Sequence, residues 1–320
     1  MSRSLAVFAL MLAACATPPG TVDAGAHWAS APPMHAARAA HAVVSTSDAI
    51  YALGGTGAGG RPVVGVERFD GTAWVEETTL PGRGLNAPAA VALADVLVVI
   101  GGFETSTNVP TDRVLAYDTR TRAWRALAPL PAPRGGHAAV VLDGRIHVIG
   151  GGNDRMTLSN HDVYDPARNA WIARAPLPRA EGSPAAVVWN GKLYAIGGRS
   201  GPADFGAVDI YDPTLDRWTG GPPIEPRGTA GAVVYCGAIH VFGGESQARR
   251  ASLGDVLRLT DGVWQPLAPM PTPRNFARAV VLHDAVYVVG GSPTPEASHA
   301  SEGSAIVERF SGGCSRNTPH

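Results

Sequence analysis

Six arginines have the residue type and the spacing to form a binding site for acidic groups. Each comes shortly before an apolar segment that leads to a pair of adjacent glycines. They are Arg38, Arg83, Arg134, Arg179, Arg227 and Arg274. Four lie sixteen residues before the glycine pair, whereas Arg83 and Arg179 lie eighteen residues before it. Because a guanidinium group binds a carboxylate through two parallel hydrogen bonds, the set predicts a ligand-binding rim. An arginine in every repeat can instead serve the repeat itself, by bonding to carbonyl groups of its loops.

Other polar side chains give weaker signals. One loop carries Glu245, Arg249 and Arg250, but isolated charges on polar loops most often serve solvation. His41 and His137 each follow one of the arginines by three residues, and we expect both to pack in the core. No group of cysteines, histidines and carboxylates stands at metal-ligand spacing. We therefore expect neither a metal nor a cofactor.

The elements that would position these residues recur along the chain. The glycine pairs begin at residues 54, 101, 150, 197, 243 and 290, so that successive spacings are 47, 49, 47, 46 and 47. A fixed period of this length indicates a solenoid, a propeller or an array. The apolar segments are short and rich in Val, Ile and Tyr, which is typical of β-strands. Asp143-Gly144 and Asn190-Gly191 suit two-residue hairpin turns. Each repeat is predicted to form one sheet of four strands, a to d.

Two aromatic positions complete the repeat. The end of strand c carries Phe69, Tyr117, Tyr164, Tyr211, Leu259 and Phe310. Strand d carries Trp74, Trp124, Trp171, Trp218 and Trp264. This pattern resembles the Kelch repeat, and the resemblance covers nearly all of residues 27–314. It implies an all-β fold, a Kelch-type β-propeller with blades around a channel. In peptide-binding Kelch domains, arginines at the position of the six above line the binding pocket.

The two ends of the repeat region indicate how the ring closes. Residues 27–34 read HWASAPPM, a strand-d sequence with Trp28 and no strands a to c before it. The last repeat has a strand c at residues 306–310 but no tryptophan after it. We therefore expect a six-bladed propeller in which the N-terminal strand is the outer strand of blade six, so that few sheet edges stay open.

Composition narrows the range of functions. The chain has 320 residues, of which 45% are hydrophobic and 17% charged, which is typical of a globular protein. Its formal net charge of −1 argues against a nucleic-acid partner, which would favour a basic face. A ring of repeats is one domain, and we expect a monomer.

The N-terminus resembles an export signal. Residues 1–15 carry one cation, Arg3, followed by an apolar segment too short to span a bilayer. Leu12-Ala13-Ala14-Cys15 resembles a bacterial lipobox, which implies lipid attachment at Cys15 and, with Ala16 next, the outer membrane, on its periplasmic or cell-surface side. Ala14-Cys15-Ala16 also fits ordinary signal cleavage, which would release a soluble periplasmic or secreted protein. Residues 16–26 are predicted to be a flexible tether, residues 27–314 the propeller, and residues 315–320 a tail.

The remaining cysteines are Cys236 and Cys314. An exported chain meets an oxidising compartment, where a disulfide is permitted. The predicted topology places both cysteines on one face of neighbouring blades, one in an inner turn and one in an outer turn. A disulfide and two unpaired thiols both stay open, because the geometry decides between them.

Two functions remain. The first is a non-catalytic binding protein at the cell envelope, which presents its arginine-rimmed face to a protein segment or an anionic glycan. The second follows from the resemblance, because secreted six-bladed Kelch proteins include a sialic-acid mutarotase that uses a Glu followed by an Arg in a b–c loop. Here Glu245 with Arg249 or Arg250 is the nearest match. The sequence lacks a full set of catalytic residues, which favours binding over a carbohydrate isomerase.

Overall fold

The computed structural model describes residues 25–295, 303–312 and 314. The predicted signal peptide, Cys15 and most of the predicted tether lie outside the described residues. Within them, the chain forms β-strands and one short 3-10 turn, Ala58–Gly60. The strands are β1 (His27–Ala31), β2 (Ala42–Ser45), β3 (Ile50–Leu53), β4 (Gly65–Phe69), β5 (Trp74–Thr79), β6 (Leu85–Asn86), β7 (Ala89–Leu93), β8 (Val96–Ile100), β9 (Phe103–Glu104), β10 (Val109–Pro110), β11 (Val114–Asp118), β12 (Ala123–Ala126), β13 (Ala138–Leu142), β14 (Arg145–Ile149), β15 (His161–Asp165), β16 (Ala170–Ala173), β17 (Ala185–Trp189), β18 (Lys192–Ile196), β19 (Arg199–Ser200), β20 (Ala203–Asp204), β21 (Val208–Asp212), β22 (Arg217–Gly220), β23 (Gly231–Tyr235), β24 (Ala238–Ser246), β25 (Ala251–Thr260), β26 (Val263–Leu267), β27 (Arg278–Leu282), β28 (Ala285–Val289) and β29 (Val307–Ser311).

Six four-stranded antiparallel sheets form the blades. In blade order, strands a to d are β2–β5, then β7, β8, β11 and β12, then β13–β16, then β17, β18, β21 and β22, then β23–β26, and finally β27, β28, β29 and β1. The last sheet takes its outer strand from the N-terminus, with His27 opposite Ser311 and Ala31 opposite Val307. The inner strands contact one another in cyclic order, including β27 with β2, which brings blade six against blade one. The predicted six-bladed all-β propeller is confirmed.

The last apolar residue of strand c and the tryptophan of strand d face each other in every blade. The strand-c residue lies directly opposite the tryptophan, as with Tyr164 and Trp171, and also with Leu259 and Trp264 in blade five. The Trp171 indole N–H donates a 2.9 Å hydrogen bond to the Ala128 carbonyl in the loop that enters the same blade. The repeated tryptophan therefore both packs within its sheet and anchors the incoming chain.

A ring of six residues with a left-handed backbone surrounds one end of the channel, and main-chain hydrogen bonds join five of them. The residue two positions before each inner strand has a positive φ, and these residues are Ala40, Ala87, Gly136, Ser183, Thr229 and Phe276. Four amides in this series donate to the carbonyl of the residue before: Ala87 to Ala40 at 2.7 Å, Gly136 to Ala87 at 2.8 Å, Ser183 to Gly136 at 2.6 Å and Thr229 to Ser183 at 3.1 Å. A left-handed backbone is uncommon outside glycine. These bonds between blades offset its cost, and we call the ring the belt.

The two faces of the ring differ. The b–c loops and the d–a loops lie on the face that carries the belt, which we call the loop face, and the a–b and c–d turns lie on the opposite turn face. On the turn face, Cys236 of blade five and Cys314, which follows strand c of blade six, form a disulfide with Cα atoms 5.2 Å apart. None of the described residues belongs to a helix of the length and apolarity that crossing a bilayer requires.

Candidate binding site on the loop face

Four of the six arginines predicted to line the rim are buried. Arg38, Arg134, Arg227 and Arg274 are at most 1% exposed. Each forms an ion pair with a carboxylate on the third strand of its own blade, for example Arg134 with Asp162 and Arg274 with Glu308, both at 2.6 Å. The expectation that these four receive a ligand is wrong, because a carboxylate of the same blade already occupies each guanidinium group.

The sixteen-residue spacing has a structural cause. The Nη1 atoms of Arg38, Arg227 and Arg274 donate to the carbonyl of the first glycine in the pair sixteen residues later, at 3.0, 3.2 and 2.6 Å. The arginine therefore ties the loop that enters the blade to the end of strand b. It stabilises these three repeats from within.

Blade two replaces this arrangement with apolar packing. At the position sixteen residues before its glycine pair stands Leu85, which packs in one core cluster with Leu115 of strand c. Arg83, two residues earlier, is exposed and pairs with Glu104 at 3.0 Å. An ion pair and an apolar pair thus fill equivalent places, as expected where the cost of desolvating two charges nearly cancels their attraction.

Blade four places a carboxylate at the same position. Glu181 is 1% exposed, and Arg179 contacts both Glu181, at 3.5 Å, and Asp209. Burial raises the pKa of Glu181 to about 8, with a further contribution from the charge of Asp209 and a partial offset from Arg179. Arg179 is therefore committed to two carboxylates of its own blade.

The Glu181 environment predicts a pH-dependent stability. Because the folded pKa of about 8 lies above the ordinary value of 4.5, the folded state keeps a proton that the unfolded state releases between these pH values. The Glu181 contribution to the free energy of unfolding should therefore fall as pH rises from 5 to 8, by up to about 1.4 kcal/mol per pH unit. It is measured as the difference between the wild type and Glu181→Gln, because the buried histidines contribute the opposite slope below pH 6.5. Glu181→Gln should remove this slope in urea titrations, whereas Glu225→Gln, at an exposed carboxylate, should keep it. Parallel curves for the wild type and Glu181→Gln would contradict this assignment.

The histidines near the arginines do not form a metal site. His41 is fully buried, and burial with the charge of Arg38 holds its pKa well below the ordinary value. Burial lowers the pKa of His137 to about 3, aided by Arg134. No group of three or more histidine, cysteine or acidic residues that could hold a metal is found within the described parts of the chain.

Glu245 and Arg249, the predicted catalytic pair, do not contact each other. Glu245 is 2% exposed, and its Oε1 accepts a hydrogen bond from Arg199 of blade four. The Arg249 side chain is exposed and pairs with Glu225 at 2.5 Å. Arg250 lies at the exposed tip of the same loop. This interpretation is corrected, because the partner of Glu245 comes from the preceding blade and buries the carboxylate.

Apolar side chains close the channel on the loop face. Phe103 and Phe276 pack with Ala40 and Ala87 in one buried cluster at the belt, which we call the plug. The Arg199 guanidinium carbon lies 5.6 Å from the centre of the Phe276 ring. Side chains from blades two, four and six thus converge at the centre of the belt. They separate the channel from the loop face.

Above the plug lies a groove of about 300 Å³ between the loops of blades two, three and four. Its lining includes Phe103, Met156, Arg155, Arg199 and several glycines. Exposed arginines on the loop face are Arg61, Arg83, Arg155, Arg249 and Arg250. Exposed carboxylates there, among the described residues, are Asp154 and Glu225. We call the five exposed arginines the basic rim.

Comparison with known proteins agrees with this architecture. A sequence profile of the KLHDC2/KLHL20/DRC7 Kelch-repeats domain matches residues 89–291, more than half of the chain. The chain belongs to the Kelch-repeat family. This Kelch protein is 30% identical to Kelch-like protein 35 of Mus musculus over 125 residues, 39% of the chain and 21% of that protein. It is 34% identical to beta-scruin of Limulus polyphemus over 132 residues, 39% of the chain and 14% of that protein.

These curated relatives are much longer than the region matched, since the alignments span about a fifth or less of their length. A solved structure of YjhT superposes on this Kelch propeller with a TM-score of 0.74. The superposition covers 87% of this chain and 96% of that one, at 17% sequence identity. At this identity the likeness shows the fold alone.

Of the six arginines predicted to bind a ligand, Arg83 also belongs to the basic rim of this Kelch ring. The repeating arginines serve the blades, whereas the basic rim comes mainly from the b–c loops, which differ among blades. Loops that vary on a repeated scaffold are where binding residues concentrate.

Proposed function

We propose that this Kelch protein is a binding protein whose loop face holds an acidic protein segment. The basic rim carries the proposal, because it places exposed guanidinium groups from blades one, three and five and from the loop entering blade two on the loop face, and Arg155 among them lines the groove. Guanidinium groups bind carboxylates with defined geometry. Kelch-repeat domains typically bind proteins, which makes a protein segment the preferred partner. An anionic glycan is the alternative that the experiment distinguishes.

The groove suits an extended segment. Five glycines, at positions 135, 136, 152, 182 and 201, contribute to its lining and leave the main chain uncovered by side chains. Phe103 provides an apolar surface beside them, and Met156 is 63% exposed at the edge. Methionine adapts its shape to different apolar groups. The surface therefore combines apolar contact with cations at its border.

We also propose that the protein is exported and lipid-anchored through Cys15 to the outer membrane, with a soluble periplasmic or secreted form as the alternative. The residues that resemble the lipobox motivate this proposal. The disulfide between Cys236 and Cys314 supports export, because disulfides persist in oxidising compartments.

The mutarotase alternative finds less support in the geometry. An acid–base catalyst must reach the proton that it transfers. Glu245 is 2% exposed and is engaged by Arg199, and Arg249 pairs with Glu225. Binding is therefore the function that the loop face supports best.

The test compares two exposed arginines on opposite faces. Arg155 on the loop face and Arg120 in a c–d turn on the turn face have side chains 83% and 79% exposed, and each forms an ion pair with an aspartate. Arg61→Glu with Arg155→Glu should weaken binding of a fluorescent hexaglutamate peptide by roughly tenfold, because like charges repel across the interface. Arg120→Glu should leave the affinity unchanged in fluorescence anisotropy measurements.

Two further probes decide the partner class. A neutral hexaglutamine peptide should bind more weakly than hexaglutamate, and a sulfated oligosaccharide should bind no better than the peptide. Preference for the oligosaccharide, lost in the same double variant, would assign a glycan partner. Equal binding by the double variant and by Arg120→Glu would remove the basic rim from the proposal.

A further inference from the structure

One arginine breaks the pattern of small residues inside the channel. The first residue of each inner strand lies two positions after the belt residue. These residues are Ala42, Ala89, Ala138, Ala185, Gly231 and Arg278. Five blades thus have alanine or glycine where blade six has Arg278. At this level of the channel, one cationic side chain lies beside five small residues.

Arg278 is partly buried, and it lacks the ion pair that the four buried arginines have. It lines a cavity of about 160 Å³ together with alanines of all the other blades. Its Nε–H donates to the His41 carbonyl at 3.1 Å. Within residues 25–295, 303–312 and 314, no carboxylate pairs with it and its terminal amino groups donate no hydrogen bond. Burial lowers the pKa of Arg278 to about 10, which still leaves it charged at neutral pH.

A buried cation without a counterion is costly, and such groups are normally paired. Arg38, Arg134 and Arg274 meet this requirement through a carboxylate of their own blade. Arg278 faces open space instead, with donors directed at the cavity. This arrangement leaves the Arg278 guanidinium able to receive an anion that comes from outside the chain.

As far as the described residues show, the channel opens towards the turn face. The plug closes it at the belt, and the cavity and the loop-face groove share no lining residue. Towards the turn face the channel continues into a space of about 370 Å³ lined by valines and alanines of the inner strands. A ligand would therefore reach Arg278 through an apolar passage.

We propose that the channel binds a short aliphatic monocarboxylate, with its carboxylate on Arg278 and its alkyl chain along the alanines and valines towards the turn face. Two parallel hydrogen bonds from the guanidinium fork match a carboxylate. A phosphate would leave further oxygens without donors, because the lining offers no second cation and His137 is neutral. A dry cavity of about 150 Å³ holds a benzene molecule, so a site of this size takes about six non-hydrogen atoms.

The experiment uses butyrate as the probe and the whole exported protein. At constant ionic strength, butyrate should bind saturably in saturation-transfer NMR and should raise the melting temperature. Butanol and inorganic phosphate should do neither. Arg278→Met should weaken butyrate binding by at least about tenfold, because the charged hydrogen bonds are lost. Arg249→Met, at an exposed arginine on the loop face, should bind butyrate as the wild type does.

Other outcomes overturn the proposal. Equal butyrate affinity in Arg278→Met and the wild type, no saturable binding by the wild type, or tighter binding of phosphate than of butyrate would each do so. Arg278→Lys keeps the charge but not the fork, and it should bind butyrate with intermediate affinity; it serves as the test if Arg278→Met does not fold. Hexaglutamate binding to the loop face should be unchanged in both variants, which separates this site from the proposed partner surface.

Discussion

Replacing Arg274 with alanine is expected to lower the free energy of unfolding by about 3–5 kcal/mol, since it leaves a buried carboxylate without its partner. Arg274 is fully buried, and it donates to Glu308 at 2.6 Å and to the carbonyls of Gly290 and Ile306 at 2.6 and 3.0 Å. Loss of these bonds would deprive three buried polar groups of blade six of their hydrogen bond from Arg274. Urea denaturation monitored by tryptophan fluorescence measures the change.

Blade two provides the matched control for this experiment. In blade two, Leu85 and Leu115 stand where blade six has Arg274 and Glu308. The double variant Arg274→Leu with Glu308→Leu should therefore be more stable than Arg274→Ala alone, because no charge stays buried. Arg83→Ala, which breaks an exposed pair, should cost less than about 1 kcal/mol. A double variant less stable than Arg274→Ala would show that the ion pair itself stabilises blade six.

Removal of the disulfide should have the second-largest effect. The bond joins Cys236 to Cys314 across 78 residues, and a loop of this length predicts a loss of about 4 kcal/mol when it is opened. The bond links blade five to the strand that pairs with β1, so its loss also weakens the junction between the two ends of the chain. Cys236→Ser with Cys314→Ser should show this loss in urea denaturation.

Reduction provides the control for the disulfide. The wild type treated with dithiothreitol should unfold at the same urea concentration as the double serine variant, and dithiothreitol should not affect the variant. A wild type whose stability is the same before and after complete reduction would contradict the prediction.

The fold was predictable because its signals repeat. Glycine pairs and strand-d tryptophans recur at nearly equal spacing. The strand-d sequence around Trp28, which has no strands a to c before it, predicts the strand that closes the ring. The loops gave no such signal. Their lengths differ, so the partner of Arg134 lies 28 residues later and that of Arg274 lies 34 residues later. A buried ion pair between such positions is hidden from a search for fixed spacing.

A sequence signal for these pairs did exist. An acidic residue stands two positions before the strand-c aromatic in four blades, as Glu67, Asp162, Asp209 and Glu308. Acidic residues that recur inside a buried strand predict cationic partners, which would have assigned the arginines to the blades. The repeat pattern gave no signal for Arg278, because an arginine at this position occurs in one blade only.

The direction of β1 has a consequence for how the protein would stand on a membrane. His27 lies opposite Ser311, at the end of β29 that leads to the turn face, so the chain enters the ring from that side. With a lipid on Cys15, the eleven residues 16–26 reach at most about 40 Å when extended. The turn face would then face the lipid headgroups, and the loop face would point towards the aqueous space. Small carboxylates would have to pass between the turn face and the membrane to reach Arg278. A protein partner would approach the loop face from the aqueous space.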